Sequence, residues 1–253
     1  MRNTESLLAN RQRTNSEFPG LRIAVTLPCY NEAATIAGVI EQFRAALPGA
    51  EIFVFDNNST DNTAIIAAEA GATVRTERRQ GKGHVVRRIF ADVEADIYIM
   101  ADGDGTYDAS IVPELVTKLL DERVDMVVGT RAGVTDDAGR KGHAFGNSIF
   151  NGLYGLIFGK DFTDIFSGYR VMTRRFVKSF PAVSAGFEIE TEMSVHASQL
   201  AIPTLEVPTR YGVRPEDSES KLHTFRDGAR ILGMFAMLMK ETRPTLFFGG
   251  IGL

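Results

Sequence analysis

Cysteine is almost absent from the chain, and the single Cys29 excludes both an internal disulfide framework and a cysteine-rich zinc site. Histidine is scarce as well: His84, His143, His196 and His223 stand apart with no HxH or HxxxH spacing, which argues against a zinc centre. No apolar run reaches the length of a membrane span, and residues 1–20 lack the apolar core of a signal peptide, so a cytosolic site of action is expected. A net charge of −4 argues against a general nucleic-acid binder. No GxGxxG follows the first apolar segment and no GxxxxGKS or GxxxxGKT occurs, which argues against a dinucleotide oxidoreductase and a P-loop phosphotransferase. Ser167 has Ile165 and Tyr169 where a GxSxG elbow carries its glycines, so no activated serine is marked. Internal repeats and low-complexity segments are also missing.

What the chain does contain is an alternation of short β-type runs with amphipathic helical stretches. Leu21 to Leu27, Glu51 to Phe55, Ala72 to Thr76, Tyr98 to Ala101 and Asp125 to Gly129 read as strands. Between them Ile36, Val39, Ile40, Phe43 and Leu47, then Ile65 and Ile66, then Val85, Val86, Ile89, Phe90 and Val93 mark helices, with a further helix from Ser110 through Leu120. This βαβαβαβ order predicts an α/β protein with a parallel, doubly wound sheet over about the first 130 residues. Beyond Thr130 the pattern loosens into a polar loop to Gly142, an apolar helix carrying Phe145 to Phe158, and a turn from Asp164 to Arg170. A helix from Phe187 to Leu200 follows, whose Glu188, Glu190 and Glu192 read as acids complementing the helix dipole, and then a short strand from Pro203 to Pro208.

Ligands of such sheets bind at the carboxyl ends of the strands. The unusual polar residues collect there: Pro28 to Glu32, Asp56 to Asp61, Arg78 to Lys82, and Asp102 to Asp108. The stretch YIMADGDGTYD is the most pointed, because an apolar strand stops at Asp102 and Asp104, whose i, i+2 spacing aims both carboxylates at one partner. Gly103 and Gly105 read as room for a bulky anion. Mg²⁺ or Mn²⁺ suits this pattern, since either takes oxygen ligands and bridges carboxylates to substrate phosphates. Lys82, between two glycines at a helix start, adds a cation where the dipole disfavours one. The competing reading is an acidic turn, with Asp56 and Asp61 serving as turn and cap residues.

The ordered set Pro28-x-Tyr30-Asn31-Glu32, Asp56 to Asp61, Gly81-Lys82-Gly83, Asp102-x-Asp104, Gly129-Thr130-Arg131, Asp164 to Arg170 and Ser220-Lys221-Leu222 resembles the family 2 inverting glycosyltransferases of GT-A fold. Within them it is similar to the polyprenyl-phosphate group that includes dolichol-phosphate mannose synthase. The resemblance implies a Rossmann-like nucleotide-diphospho-sugar transferase domain over residues 21–222. It implies a donor nucleotide pocket at Pro28, Tyr30, Glu32, Asp56, Asp61 and Lys82. Asp104 would ligate Mg²⁺ or Mn²⁺ directly, Asp102 would divide its contacts between metal and donor ribose, and Thr106 stands where related enzymes can carry the longer Gln. Arg131, Arg140, Ser167, Arg214, Ser220 and Lys221 are the implied contacts of the acceptor phosphate, and Arg131 and Asp164 join Asp102 and Asp104 as catalytic candidates.

The implied reaction moves a sugar from a UDP- or GDP-sugar to undecaprenyl or dolichyl phosphate at the cytosolic face of a membrane. A lipid phosphate is already anionic and needs positioning rather than deprotonation. A hydroxyl acceptor would need a base, for which Asp164 or Glu188 would be the place to look. Alternatives are transfer to a glycan or small hydroxyl acceptor, a nucleotide-sugar-binding module, and a nucleotidyltransferase. The two ends frame this domain: residues 1–20 read as a polar leader, and 223–253 as a basic amphipathic helix with an apolar tail. That tail is expected to lie on a membrane surface and to lead towards membrane helices, or else to pack on the core. Oligomeric state is not encoded in any of these features.

Overall fold

Side chains that alternate along a strand leave the sheet on opposite faces, and in the computed structural model both faces of the sheet are covered by helices. The structure describes residues 17–132, 150–159, 162–212 and 224–251. The strands are β1 (Ile23–Cys29), β2 (Glu51–Asp56), β3 (Thr73–Thr76), β4 (Ile97–Met100), β5 (Met126–Ala132), β6 (Arg170–Thr173) and β7 (Thr204–Arg210). The helices are α1 (Ile36–Ala46), α2 (Thr63–Glu69), α3 (Lys82–Asp92), α4 (Val112–Asp121), α5 (150–157), α6 (Arg174–Ser179), α7 (Ile189–Gln199), α8 (Thr224–Thr242) and α9 (Pro244–Ile251). Phe53, Phe55, Tyr98 and Met100 share one apolar cluster with Val86 and Ile89 of α3 and Ile189 and Met193 of α7. Val25, Leu27, Val54 and Ile99 share the other with Ile40 and Phe43 of α1 and Leu115 and Leu119 of α4. Each large apolar side chain buried in this way contributes about 1.5–3 kcal/mol.

The strand order is β3-β2-β1-β4-β6-β5-β7. The sheet is mostly parallel, as expected, but the parallel reading needs one correction: β5 does not lie beside β4. β6 runs antiparallel between them, with Arg170 opposite both Met100 and Val128. Four residues headed by an arginine carry too little alternation to mark a strand, and its pairing on both sides defines it. α6 was equally unmarked; the Thr173 hydroxyl caps its start by accepting from Phe176 N–H.

Strand pairing along the carboxyl edge is uneven. β1 stays paired with β2 as far as Cys29 opposite Asp56, whereas its pairing with β4 ends at Thr26 opposite Met100. Beyond that register the segments after β1 and β4 stay in contact, Thr35 bonding the Gly103 carbonyl, on the edge where doubly wound sheets take ligands. Pro28 sits beyond the last β1–β4 pair, where a residue without an N–H is tolerated.

α8 lays Ile231, Met234 and Phe235 into the core, with Phe235 against Phe150 and Phe158. Leu232, Met237 and Phe248 of α8 and α9 remain exposed. The core-packing reading thus accounts for one face of α8. Among the described residues no helix is long and apolar enough to cross a membrane.

Candidate active site

The metal turn is built by hydrogen bonds that its own sequence supplies. Asp104 is buried, and its Oδ1 accepts from Thr106 N–H at 3.0 Å and from the Thr106 hydroxyl at 2.6 Å. Thr106 therefore bears on a metal reading through the orientation of Asp104. Gly105 adopts φ +73°, the left-handed region in which glycine is unstrained, and a Cβ on Gly103 would collide with Cys29 Sγ. Gly105 thus answers to the turn and Gly103 to the core beneath it. Thr35 ties the turn to the start of α1 by donating to the Gly103 carbonyl at 2.7 Å.

Lys82, implied in the donor nucleotide pocket, is drawn inward onto two carboxylates. Its ammonium bonds Asp102 and lies 2.5 Å from Glu190 Oε1, with its side chain only 9% exposed. The cause is the glycine on either side: a Cβ on Gly83 would strike the Ser184 carbonyl and one on Gly81 the Ala185 carbonyl, so glycine alone lets α3 start against the 184–185 backbone. Burial by itself would pull the ammonium down, but Asp102 and Glu190 outweigh it and hold Lys82 above the ordinary lysine value. Burial pushes Glu190 up, because one ammonium shared by two carboxylates cannot offset the desolvation of both. Glu190 keeps its place in the first turn of α7, where its charge complements the helix dipole, and is in addition a buried partner of Lys82. Glu192, in the same turn, accepts from Val183 and Ser184 N–H and fixes the segment that holds α3. Glu188 closes a tight turn through Ala185 and Gly186 N–H.

At the β2 end, Asp56 is buried. One of its oxygens accepts from Ser59 N–H, while Oδ1 has no hydrogen-bond partner among the described residues. An unmatched buried carboxylate oxygen is costly, and at a sheet edge it marks a place for an incoming N–H. Asp61 is used differently: burial would raise its carboxyl, but bonds from the Thr63 hydroxyl and from Thr63 and Ala33 N–H hold it below the ordinary value. It joins α2 to the segment after β1. Glu32 is buried there, its N–H bound to Thr63 Oγ1 and its carbonyl starting α1, and Tyr30 is half-buried beside it. Asn57, which the sequence did not single out, ties the 77–81 segment by donating to Glu77 and Arg79 carbonyls and accepting from Gly81 N–H.

On the β5 side, Arg131 forms a fork with Asp164, Nε to Oδ2 at 2.8 Å and Nη2 to Oδ1 at 2.7 Å. Burial opposes the charge on both, yet the fork holds Asp164 below the ordinary carboxylate range. Asp164 is thereby a weak base. We expect Asp164→Asn to flatten the acid limb of the melting temperature. A carboxyl depressed by folding contributes stability above about pH 4 and loses it as pH falls through the folded value. An unchanged limb below pH ~4 would remove the pairing from the account. Ser167, expected at the acceptor phosphate, is fully buried and donates to the Gly129 carbonyl, which corrects that assignment. Arg140, Arg214, Ser220 and Lys221 lie outside the described residues.

Two further residues complete the site. Gly168 faces the Lys82 and Asp102 side chains so closely that a Cβ would come within 3.1 Å of both, and its N–H bonds the Tyr107 hydroxyl. Arg170 is wholly buried beneath it. The signal for Glu190 was available in principle, since a lysine enclosed by two close-packing glycines needs a carboxylate, but the sequence does not say which.

The description of glycosyl transferase family 2 matches residues 24–180. Glycosyltransferase AglJ of Haloferax volcanii is 40% identical over 91% of this chain and 76% of its own length. The low-salt glycan biosynthesis hexosyltransferase Agl6 of the same organism is 31% identical over 82% of this chain, which spans 51% of that relative. Among solved structures, glucosyl-3-phosphoglycerate synthase from Mycobacterium tuberculosis in complex with Mn²⁺, uridine diphosphate and phosphoglyceric acid superposes with a TM-score of 0.72 at 25% identity, covering 88% of this chain and 79% of that one.

Proposed function

The chain belongs to glycosyl transferase family 2, and from that premise we propose that it transfers a sugar from a uridine diphosphate donor, with Mg²⁺ or Mn²⁺ at Asp102 and Asp104, to a polyprenyl phosphate at the cytosolic face of a membrane. The observation that carries the donor is the convergence on one edge of the Asp102–Asp104 turn, buried Lys82 and the unmatched Asp56 oxygen. Two carboxylates in a tight turn offer the hard oxygen donors such an ion prefers. Among the described residues no third His, Cys, Asp or Glu completes a cage, which fits an ion whose other ligands are donor phosphates. When bound, the metal supplies charge for the leaving diphosphate.

The chain's own residues do the rest. Asp56 Oδ1 accepts the base N–H, and with one open oxygen it matches the single imino N–H of uracil better than the paired donors of guanine. Lys82 keeps a fixed positive charge against Asp102, beside the bond that breaks. In the transfer, an acceptor phosphate oxygen bonds the anomeric carbon as the bond to the donor diphosphate breaks, with inversion and no proton to remove. Asp164, bound at both oxygens by Arg131, is poorly placed to deprotonate a hydroxyl, which leaves Glu188 as the base candidate a hydroxyl acceptor would need. The exposed Leu232, Met237 and Phe248 support a lipid surface as the source of the acceptor phosphate.

A second reading, a small phosphorylated hydroxyl acceptor, is favoured by the neighbour crystallised with phosphoglyceric acid. The test is incubation with labelled UDP-sugars, Mn²⁺ and either undecaprenyl phosphate or 3-phosphoglycerate. Label in the organic phase supports the lipid; label confined to a water-soluble product replaces it with the second reading. In parallel, UDP with Mn²⁺ should raise the melting temperature more than GDP with Mn²⁺, because stabilisation follows affinity for the folded state. Equal or reversed shifts would remove the uracil assignment.

A further inference from the structure

We propose that Arg170 is a positioning residue that holds Gly168 and Glu190 about the Lys82–Asp102 pair, and through them sets the rate of transfer rather than donor affinity. The inference rests on the transferase reading of the site. Arg170 has no exposed surface, so it touches neither donor nor acceptor. Nor is it an ordinary salt-bridge residue, because its hydrogen-bond acceptors are neutral. Its Nε donates to the Ser167 carbonyl at 3.0 Å, and its Nη2 to the Ile165 carbonyl at 3.3 Å, the Glu190 carbonyl at 2.9 Å and Ser194 Oγ at 2.9 Å. Nη1 meets Met126 Sδ at 3.4 Å.

Those acceptors fall into two groups with a clear geometry. Ser167 and Ile165 belong to the turn that carries Gly168, which lies against the Lys82 and Asp102 side chains. Glu190 and Ser194 belong to the first turns of α7, which carries the second carboxylate on Lys82. Arg170 is thus the common fastener of two walls of the Lys82 pocket. Its strand explains how it reaches both: β6 lies between β4, which delivers Asp102, and β5, which delivers Arg131. A buried guanidinium is a poor way to fill a core, since an apolar side chain of similar volume is often at least as stable. What it adds here is five donors in a rigid plane that fix the spacing of two segments.

The experiment compares wild type, Arg170→Met and Arg170→Lys in the full chain. Steady-state transfer from the UDP-sugar and UDP binding are measured together with the ammonium signal of Lys82 in protein labelled at lysine ¹⁵Nζ, assigned by its absence in Lys82→Met. Arg170→Met should lower kcat on the order of 10²-fold, as expected of slight misplacement, with UDP affinity within about threefold of wild type. The Lys82 signal should shift or broaden. Arg170→Lys, which keeps the charge and some of the bonds, should recover kcat to within about tenfold and restore the signal towards its wild-type position. A wild-type kcat in Arg170→Met overturns the proposal. So does a parallel loss of kcat, UDP affinity and melting temperature with the Lys82 signal unmoved, which is the pattern of a residue that only stabilises the fold. If Arg170→Met does not fold, Ser194→Ala takes its place: a smaller loss of kcat at constant UDP affinity with a shifted signal supports the proposal, and an unmoved signal overturns it. Should the wild type transfer no sugar to any acceptor, the transferase reading fails on its own, and the Lys82 signal still decides whether Arg170 sets the pocket.

Discussion

Asp104→Ala will remain folded and lose sugar transfer by on the order of 10³-fold, the loss expected when charge stabilisation of a leaving group is removed. The competing account of Asp104, a turn acid, predicts something quite different. Within the turn, the carboxylate accepts two hydrogen bonds from Thr106. Losing both costs about 1–3 kcal/mol, at ~0.5–1.5 kcal/mol for each bond. For a chain of this size that lowers the melting temperature by roughly 2–4 °C per kcal/mol. A turn acid would therefore cost stability and leave most of the rate. Thr106→Ala supplies the control, because it removes the hydroxyl bond while keeping the carboxylate. We expect it to cost about 1 kcal/mol of stability and less than tenfold in rate. The extra stabilisation that Mn²⁺ gives in the presence of UDP should survive in Thr106→Ala and vanish in Asp104→Ala. Transfer by Asp104→Ala within tenfold of wild type would return Asp104 to the turn and remove the metal from it.

The carboxyl edge of the sheet was legible before any coordinates because its signals are local. An apolar run that ends in Asp-x-Asp, or in Asp-Asn-Asn-Ser-Thr-Asp, announces both the strand and the polar cluster at its end, and β1, β2, β3 and β4 fall within a residue or two of their expected spans. What escaped notice depends on partners distant in sequence. β6 is a strand only because β4 and β5 flank it, and no property of Arg170 to Thr173 alone requires that. Lys82 stood out as a cation the helix dipole disfavours, but its two carboxylate partners lie twenty or more positions away, at Asp102 and Glu190. Arg131 and Asp164 were each visible as polar residues near the edge, yet their mutual pairing, which weakens Asp164 as a base, arises only when the loop after α5 returns to β5. The same distinction separates Gly103 from Gly105. Gly105 is required by its own backbone angle, whereas Gly103 is required by Cys29, seventy-odd residues earlier in the chain, beneath it.

The second large effect falls on Lys82, and it can separate what the lysine does for the fold from what it does for the reaction. Lys82→Met should cost about 3 kcal/mol or more, because it leaves Asp102 and buried Glu190 without their shared cation. Much of that cost belongs to Glu190. Its carboxyl is already pushed up by burial, and without Lys82 to oppose the shift it rises further. A group raised by folding contributes stability that is present below its unfolded value, near pH 4.3, and is lost as pH climbs through the folded value. The single variant should therefore melt at a higher temperature at acidic than at neutral pH, a slope that wild type shows more weakly. Adding Glu190→Gln removes the titrating group, so the double variant should lose the slope. It should also be more stable at neutral pH than the two separate costs would sum to, with a coupling of about 1–3 kcal/mol. Transfer should not return with the stability, since the fixed positive charge beside Asp102 is still missing, and the rate should stay down by on the order of 10²-fold or more. A double variant that regains both would make Lys82 a structural counter-ion only. One that regains neither would place the coupling elsewhere than in the Lys82–Glu190 pair.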